Sequence, residues 1–184
     1  ALLIDEAHAL GILGDHGRGA SEHFHLSTDH LLLTGSLSKA LGAAGGFVSG
    51  LTQCIEAVRE TRTYATTSAL SLPLAAAGIA SLDYLRDNSI LIRNFQQRCL
   101  QTKQQLINAG YNIPLIPSPV ISIFISDTDR INALKHALIN AEIYPSFIHY
   151  PEKPGYFRFA LSSAHSEVDI SCLLEVLRNF RKTL

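Results

Sequence analysis

Asp5, Glu6 and His8 are the first residues whose types could carry chemistry, and they follow directly on the apolar run of residues 2–4. Carboxylates at the end of a strand lie where open α/β sheets bind their ligands. One hypothesis is the acidic box of a nucleic-acid-dependent ATPase, in which Asp and Glu serve magnesium and water. A second is a pyridoxal phosphate site with the Asp beside the ring nitrogen, and a third is a solvated strand end. Residues 1–184 contain neither a nucleotide-binding phosphate loop nor an arginine-rich helicase segment, which disfavours the ATPase.

Ser36 and Lys39 form a second group, placed after the apolar run of residues 30–34 and before the glycine-rich residues 42–46. Ser-x-x-Lys is also the nucleophile signature of penicillin-binding enzymes, but their Ser-Asp-Asn and Lys-Thr-Gly partners do not occur in this sequence. Removal of water from a lysine favours the neutral amine that Schiff-base chemistry requires. Taken alone, this motif leaves two interpretations equally open, a Schiff-base lysine and an exposed structural lysine.

Composition excludes several other classes of protein. The 184 residues are 47% hydrophobic with a formal net charge of −1, which gives no electrostatic basis for binding nucleic acid or an anionic membrane surface. The sequence has no run of about 18 apolar residues that would predict a membrane-spanning helix. The three widely spaced cysteines predict reduced thiols in a cytoplasmic protein, and neither a disulfide framework nor a metal site. The first residues do not have the pattern of a signal peptide, and because the sequence contains no Met we expect that the gene begins upstream of Ala1.

The elements that must position these residues follow from hydrophobic periodicity. Short apolar runs bounded by glycine or proline predict strands, and longer periodic runs predict helices. The predicted strands are 2–4, 30–34, 47–48, 120–125, 143–148 and 156–161. The predicted helices are 51–60, 72–85, 90–109, 129–140 capped by Asp127 or Thr128, and a last helix to Arg181 that opens on a Ser166–Asp169 capping box. Residues 151–155 predict a turn. The pattern indicates the end of an α/β domain, linking helices and a smaller α+β domain.

Four segments together resemble the α-oxoamine synthase family: LLIDEAHALGILGDHGRG, TGSLSKALGAAGGFVSG, residues 64–67 (YATT) and residues 158–165 (RFALSSAH). The resemblance spans nearly the whole chain. It implies an α/β fold, the C-terminal part of a fold-type-I pyridoxal phosphate enzyme of the aspartate aminotransferase class. Residues 1–75 would end the large three-layer domain, residues 76–109 would be linking helices, and residues 110–184 would form the small α+β domain. A glycine-containing phosphate loop and a histidine that stacks on the cofactor ring would lie upstream.

The resemblance also implies roles for the matching residues around pyridoxal phosphate. Lys39 would bind the cofactor covalently, Asp5 would keep its ring nitrogen protonated, and His8 would contact its phenolic oxygen. Ser36, where the family usually has Thr, would hydrogen-bond its phosphate. Thr66 would reach the phosphate across a dimer interface, with Thr67 as the alternative.

The remaining matches are outside the cofactor site. Arg158 would bind the carboxylate of the amino-acid substrate. His165 is interpreted as structural, and Glu6, His16 and Arg18 match the family without an assigned catalytic role. Ala69 and Leu70 stand where the family tends to have paired prolines, which leaves the choice between Thr66 and Thr67 open.

The activity implied by the resemblance is the condensation of an amino acid with an acyl-CoA thioester, with loss of CO₂, to give an α-amino ketone. The expected partners are the two substrates and a second copy of the chain in a homodimer with the active site at its interface. The alternatives are family members that use other acyl groups and amino acids, and a domain that keeps the fold without catalysis.

Overall fold

A computed structural model describes residues 2–151 and 155–182 of the chain. The chain divides into two compact units, Ala1–Asn94 and Phe95–Leu184. This division falls inside one long helix, and the predicted domain bounds of 1–75, 76–109 and 110–184 stay a prediction. No helix within the two described ranges is long and apolar enough to cross a membrane.

A three-stranded sheet organises the first unit. Its strands are β1 (Leu2–Asp5), β2 (Leu31–Ser36) and β3 (Gly46–Gly50), in the order β1-β2-β3. β1 and β2 are parallel, whereas β2 and β3 are antiparallel. All three strands are confirmed at the predicted places, with β2 running two residues further, to Ser36. The carboxyl ends of β1 and β2 therefore meet at one edge of the sheet.

The first unit also contains helices. They are α1 (Ala20–His23), α2 (Thr52–Arg59), α3 (Arg62–Ala65), α4 (Leu72–Asp87) and the start of α5 (Ser89–Asn108). The helices predicted at 51–60, 72–85 and 90–109 are confirmed. α1 and α3 were not predicted, because four residues are too few to show a helical period.

The second unit is built on a second antiparallel sheet. Its strands are β4 (Val120–Phe124), β5 (Ser146–Ile148) and β6 (Tyr156–Ala160), in the order β4-β6-β5, and its helices are α6 (Thr128–Asn140) and α7 (Glu167–Lys182). α6, α7 and the second half of α5 supply apolar residues to one continuous core with the sheet, including Leu106, Leu134, Phe157 and Leu177. The alternating burial of β6 places Phe157 and Phe159 in this core.

The helix ends of this unit follow the predicted capping chemistry. Asp127 accepts a hydrogen bond from the amide of Arg130 (2.8 Å) and so caps α6. The Asp169 carboxylate accepts from the Ser166 amide (2.7 Å), and the Ser166 hydroxyl accepts from the Asp169 amide (3.2 Å), which is the predicted capping box. Gly110 follows α5 with a φ of +92°, a conformation that favours glycine at this end.

The largest error in a predicted strand boundary is at the start of β5. The strand predicted at 143–148 begins only at Ser146. The amide of Ile143 donates to the carbonyl of Leu138 (2.9 Å), so this residue closes the C-terminal end of α6 instead of pairing in the sheet. The predicted turn at 151–155 includes residues 152–154, which lie outside the described residues.

Candidate active site

The carboxyl ends of β1 and β2 bring the first two groups of candidate residues to one edge of the sheet. Asp5 pairs in register with Thr34, two residues before Ser36 at the end of β2. The Asp5 carboxylate is exposed and accepts a hydrogen bond from the amide of Ala7 (2.9 Å). His8 is exposed in the turn that follows. A carboxylate, an imidazole and a hydroxyl thus stand where α/β sheets bind ligands.

Lys39 lies on the loop of residues 37–45 between β2 and β3, which we call the lysine loop. Its backbone is closed on itself: the amides of Leu37 and Ala43 donate to the carbonyls of Gly45 (3.0 Å) and Leu37 (2.9 Å). Leu41 and Ala43 are buried, at 2% and 8% exposed. The Lys39 side chain itself is exposed. The structure therefore differs from the desolvated lysine that the apolar setting suggested, because the apolar neighbours are buried while the lysine side chain is not.

Ser36, the last residue of β2, forms a small hydroxyl cluster with Ser38 of the lysine loop. Its Oγ accepts from the amide of Ser38 (3.2 Å) and lies 2.8 Å from the Ser38 Oγ. Two hydroxyls and a backbone amide at the start of a glycine-rich turn are donors of the kind that bind phosphate oxygens.

Two carboxylates hold the segment of residues 6–22, which we call the anchored segment. Buried Glu6 accepts from the amides of Ala20 (2.6 Å) and Ser21 (2.8 Å), at the start of α1. Glu22 accepts from the amides of His16 (3.1 Å) and Arg18 (3.0 Å). Burial acts to raise the pKa of Glu22, but these amides and the His16 ring together hold it below its ordinary value.

Glu6 was given no role from the sequence, and its contacts assign it a structural one. A side chain at Gly19 would collide with the Glu6 carboxylate, and Gly19 also has a φ of +105°. The sequence signal that could have revealed this packing is the repeated glycine at positions 11, 14, 17 and 19, all with positive φ.

Thr66 and Thr67 lie just after α3 with exposed side chains. Their hydroxyls donate to the carbonyls of Arg62 (2.8 Å) and Thr63 (2.6 Å). The two residues make equivalent contacts, so the choice between them as phosphate ligand stays open. A Cβ on Gly45 would lie 3.2 Å from the Leu70 side chain, so the chain after these threonines returns to the lysine loop.

Arg158 occupies the centre of the second sheet. On β6 it lies opposite Ser122 of β4 and Ser146 of β5, with its side chain on the exposed face. It lines a cleft of about 650 Å³ together with Tyr144, His165 and others. The exposed guanidinium agrees with both an anion-binding arginine and an ordinary surface arginine.

His165 lines the same cleft and is held by the turn after β6. Its Nδ1 accepts from the amide of Ser162 (3.1 Å), and its carbonyl accepts from the Arg98 guanidinium (2.9 Å). Because an amide can only donate, the neutral ring must carry its proton on Nε2. These contacts support the structural interpretation of His165.

Lys103 is a buried lysine that sequence reasoning missed. It is 1% exposed, and its Nζ donates to the carbonyl of Ile116 (3.1 Å) and the hydroxyl of Ser118 (3.0 Å). Burial lowers the pKa of Lys103 and raises that of neighbouring Cys99 to about 11, so this thiol stays protonated and inert near neutral pH. No periodic signal marks the position, since lysine is normally counted as a surface residue in a helical pattern.

The three cysteines are free, and the described ranges contain no cluster of side chains that could hold a metal ion.

Comparisons with known proteins identify the family. The family model for aminotransferase class I and II matches residues 1–177. A protein named 8-amino-7-oxononanoate synthase from Dechloromonas aromatica (strain RCB) is 36% identical over 184 residues, which cover 96% of this chain and 47% of that protein. The chain spans about half the length of the curated relatives it matches.

Solved structures agree with this result. The crystal structure of 8-amino-7-oxononanoate synthase from Francisella tularensis superposes with a TM-score of 0.87 at 28% identity, covering 99% of this chain and 55% of that one. Serine palmitoyltransferase from Sphingomonas wittichii gives a TM-score of 0.86 at 25% identity, covering 98% and 47%. The predicted fold is confirmed. The chain belongs to the aminotransferase class I and II family.

Proposed function

We propose that this chain is part of a pyridoxal phosphate-dependent acyltransferase that condenses an amino acid with an acyl-CoA thioester and releases CO₂. The observation that carries the proposal is the meeting of Asp5, Ser36 and the lysine loop at the carboxyl edge of two adjacent parallel strands. The relatives named 8-amino-7-oxononanoate synthase support that activity, with alanine and a pimeloyl thioester as the substrates to test first.

The residues at this edge fit pyridoxal phosphate by their chemistry. The cofactor presents an aldehyde, a basic ring nitrogen, a phenolic oxygen and a phosphate. The chain offers a primary amine on Lys39, a carboxylate on Asp5, an imidazole on His8 and the hydroxyl and amide cluster of Ser36 and Ser38. When bound, the cofactor supplies an electron sink for the carbanion that forms at Cα of the amino acid.

Asp5 would hold a proton on the ring nitrogen. A carboxylate within ~4 Å of a cation stabilises it by roughly 4 kcal/mol at an effective dielectric constant near 20. That energy corresponds to a rise of about three in the pKa of the nitrogen. Among the described residues, the Asp5 carboxylate accepts a hydrogen bond from one amide, that of Ala7, which leaves lone pairs for a second donor.

Lys39 would hold the cofactor through its Nζ and, once the amino acid replaces it, take the proton from Cα as the general base. An exposed amine on an anchored loop suits both roles, because the side chain can move while its backbone stays fixed. Arg158 would bind the substrate carboxylate with its planar fork, which a lysine cannot reproduce.

The quaternary structure and location belong to the same proposal. A homodimer would allow Thr66 or Thr67 of one copy to reach the phosphate site of the other, and the free thiols suit the cytoplasm. Serine palmitoyltransferase is a second candidate, favoured by the Sphingomonas wittichii structure. A glycine C-acetyltransferase and a non-catalytic domain are the remaining alternatives.

The experiment is a substrate matrix with the complete protein. Free CoA is measured after pimeloyl-, palmitoyl- or acetyl-CoA is mixed with alanine, serine or glycine in the presence of pyridoxal phosphate. We expect release to be fastest with pimeloyl-CoA and alanine, and to be absent for Lys39→Ala. Fastest release with palmitoyl-CoA and serine, or with acetyl-CoA and glycine, would support the corresponding alternative. Failure of the wild type to bind the cofactor would support a non-catalytic domain.

A further inference from the structure

The anchored segment and the lysine loop meet at Gly11 and Ala40. A Cβ built on Gly11 would lie 2.5 Å from the Cβ of Ala40, far inside the 3.4–4 Å of an ordinary contact. The Ala40 methyl is attached directly to the backbone and has no rotamer in which to move away. Gly11 therefore allows an approach between the two loops that any other residue would prevent.

The anchored segment cannot easily yield at this contact. The amide of Gly11 donates to the carbonyl of Gly17 (2.7 Å), and the φ of Gly11 is +74°. Glu6 and Glu22 hold the segment on both sides of that bond, each with two backbone amides. Additional volume at Gly11 must displace the residue opposite.

That residue is the direct neighbour of Lys39. Buried Leu41 and Ala43 anchor the lysine loop. In the chain, Ala40 lies between these buried residues and exposed Lys39. Consecutive Cα atoms are about 3.8 Å apart. Because Lys39 and Ala40 share a peptide bond, a displacement of the Ala40 backbone also moves the backbone of Lys39.

We propose that Gly11 is a positioning residue for Lys39. The contact between Gly11 and Ala40 sets the distance of the lysine loop from the carboxyl ends of β1 and β2. The inference rests on the proposed function, because it requires Lys39 to bind pyridoxal phosphate. Relief of the Gly11→Ala clash to an ordinary contact needs a shift of about 1 Å, and errors of that size reduce the efficiency of a reacting group by about 100-fold.

The test measures covalent cofactor attachment in the complete protein, independently of catalysis. Each variant is titrated with pyridoxal phosphate, reduced with borohydride, and weighed by mass spectrometry to give the fraction modified. Gly11→Ala is compared with the double variant Gly11→Ala/Ala40→Gly, which removes the colliding methyl. Gly110→Ala is the matched control, because it places alanine at another positive φ, +92°, in the second unit. The thermal midpoint of each apoprotein reports stability.

We expect Gly11→Ala to require about 10- to 100-fold more cofactor for half-maximal attachment. The double variant is expected to recover most of this loss, and Gly110→Ala to titrate like the wild type even if its thermal midpoint falls. Equal titrations of Gly11→Ala and Gly110→Ala would overturn the inference, as would a double variant no better than Gly11→Ala.

A variant that enlarges the opposite side keeps the test decisive if Gly11→Ala does not fold. Ala40→Val adds two methyl groups to the same contact without changing the φ of Gly11, and it is expected to weaken attachment in the same direction. Normal attachment by Ala40→Val would then overturn the inference. Absence of attachment in the wild type overturns the proposed function and the inference together, whereas normal wild-type attachment with an unaffected Gly11→Ala overturns the inference alone.

Discussion

The two units of this chain achieve order by different means. In the second unit, helices and a three-stranded sheet enclose a continuous core of buried side chains. In the first, few apolar side chains are fully buried, and the loops are held instead by carboxylates, backbone amides and close contacts at glycine. Hydrophobic burial is non-directional, whereas hydrogen bonds fix specific atoms. Within the described residues, directed contacts therefore hold the loops of the first unit, and apolar burial holds the second unit together.

Two lysines illustrate the difference. Lys103 in the second unit is buried and hydrogen-bonded to a carbonyl and a hydroxyl, so its amine is held inside the fold. Lys39 in the first unit is exposed on a loop whose backbone and apolar neighbours supply the order. Burial identifies a structural lysine here, and an anchored backbone with a free side chain identifies the candidate for chemistry.

The largest expected effect tests this contrast directly. Lys39→Ala should abolish borohydride-trapped cofactor and leave the thermal midpoint nearly unchanged, because the truncated side chain is exposed. Lys103→Met should keep the cofactor attached but lower the free energy of unfolding by about 1–3 kcal/mol, because two acceptors lose their donor. Mass spectrometry and urea unfolding measure the two quantities. Trapped cofactor in Lys39→Ala would show that another lysine binds it.

Removal of a core ring should test the stability of the second unit. Phe157→Ala is expected to lower the free energy of unfolding by about 3–5 kcal/mol, because this fully buried ring leaves a cavity. The matched control is Phe124→Ala on the neighbouring strand, an exposed ring packed against Tyr156 in a tilted arrangement, which should cost about 1 kcal/mol. Equal losses in urea unfolding would contradict the assignment of the core.

Arg158 tests whether the second unit also takes part in the proposed reaction. Arg158→Lys should raise the apparent KM for the amino acid roughly 10- to 150-fold, the equivalent of one charge-assisted contact of ~1.5–3 kcal/mol. The KM for acyl-CoA should change much less, and stability should be unaffected because the side chain is exposed. Steady-state titration of each substrate separates these outcomes. An unchanged KM for the amino acid would assign Arg158 to the surface.

The second unit should be sensitive to alkali. Burial raises the pKa of Tyr111 to about 12, and its hydroxyl donates to the carbonyl of Leu177 (2.8 Å). The unfolded chain loses this proton near pH 10, so the contribution to stability is complete below pH 10 and disappears as the pH rises through 12. The difference corresponds to about 2–3 kcal/mol. Tyr111→Phe should flatten the alkaline limb of urea unfolding measured against pH, and an unchanged limb would contradict the prediction.

The smallest effect is expected at acid pH in the first unit. Because the pKa of Glu22 is held below its ordinary value near 4.5, its contribution is present above that pH and is lost as the pH falls through the lower, folded-state value. Glu22→Gln should therefore weaken the acid dependence of stability. Hydrogen exchange of the backbone amides of Arg18 and His16, followed against pH, measures this acid dependence, since both amides donate to the Glu22 carboxylate. Exchange that is independent of residue 22 would contradict it.

Local sequence patterns predicted most of the strands and helices of the fold. Apolar runs and capping residues predicted the strands and the longer helices, because each depends on neighbours a few residues apart. The contacts of the lysine loop and of the anchored segment could not be predicted, because Gly11 and Ala40, or Glu6 and Ser21, are distant in sequence and meet only after folding. The wrong start of β5 has a different and local cause: Ile143 belongs to an apolar run typical of a strand, but its amide donates to the carbonyl of Leu138 at the end of α6. The candidate site residues came from a family resemblance and remain predictions.

Arg158 holds its place through its neighbours in the chain. Phe157 and Phe159 are both buried on the opposite face of β6, and the strand is paired on both sides. A slip of one residue would turn the guanidinium into the core and both rings into water. The arginine can therefore be exchanged for almost any residue without harm to folding, but it cannot be moved along the strand. An enzyme engineer could therefore replace the side chain at position 158 and still expect the new side chain to lie at the same place on the exposed face of the sheet.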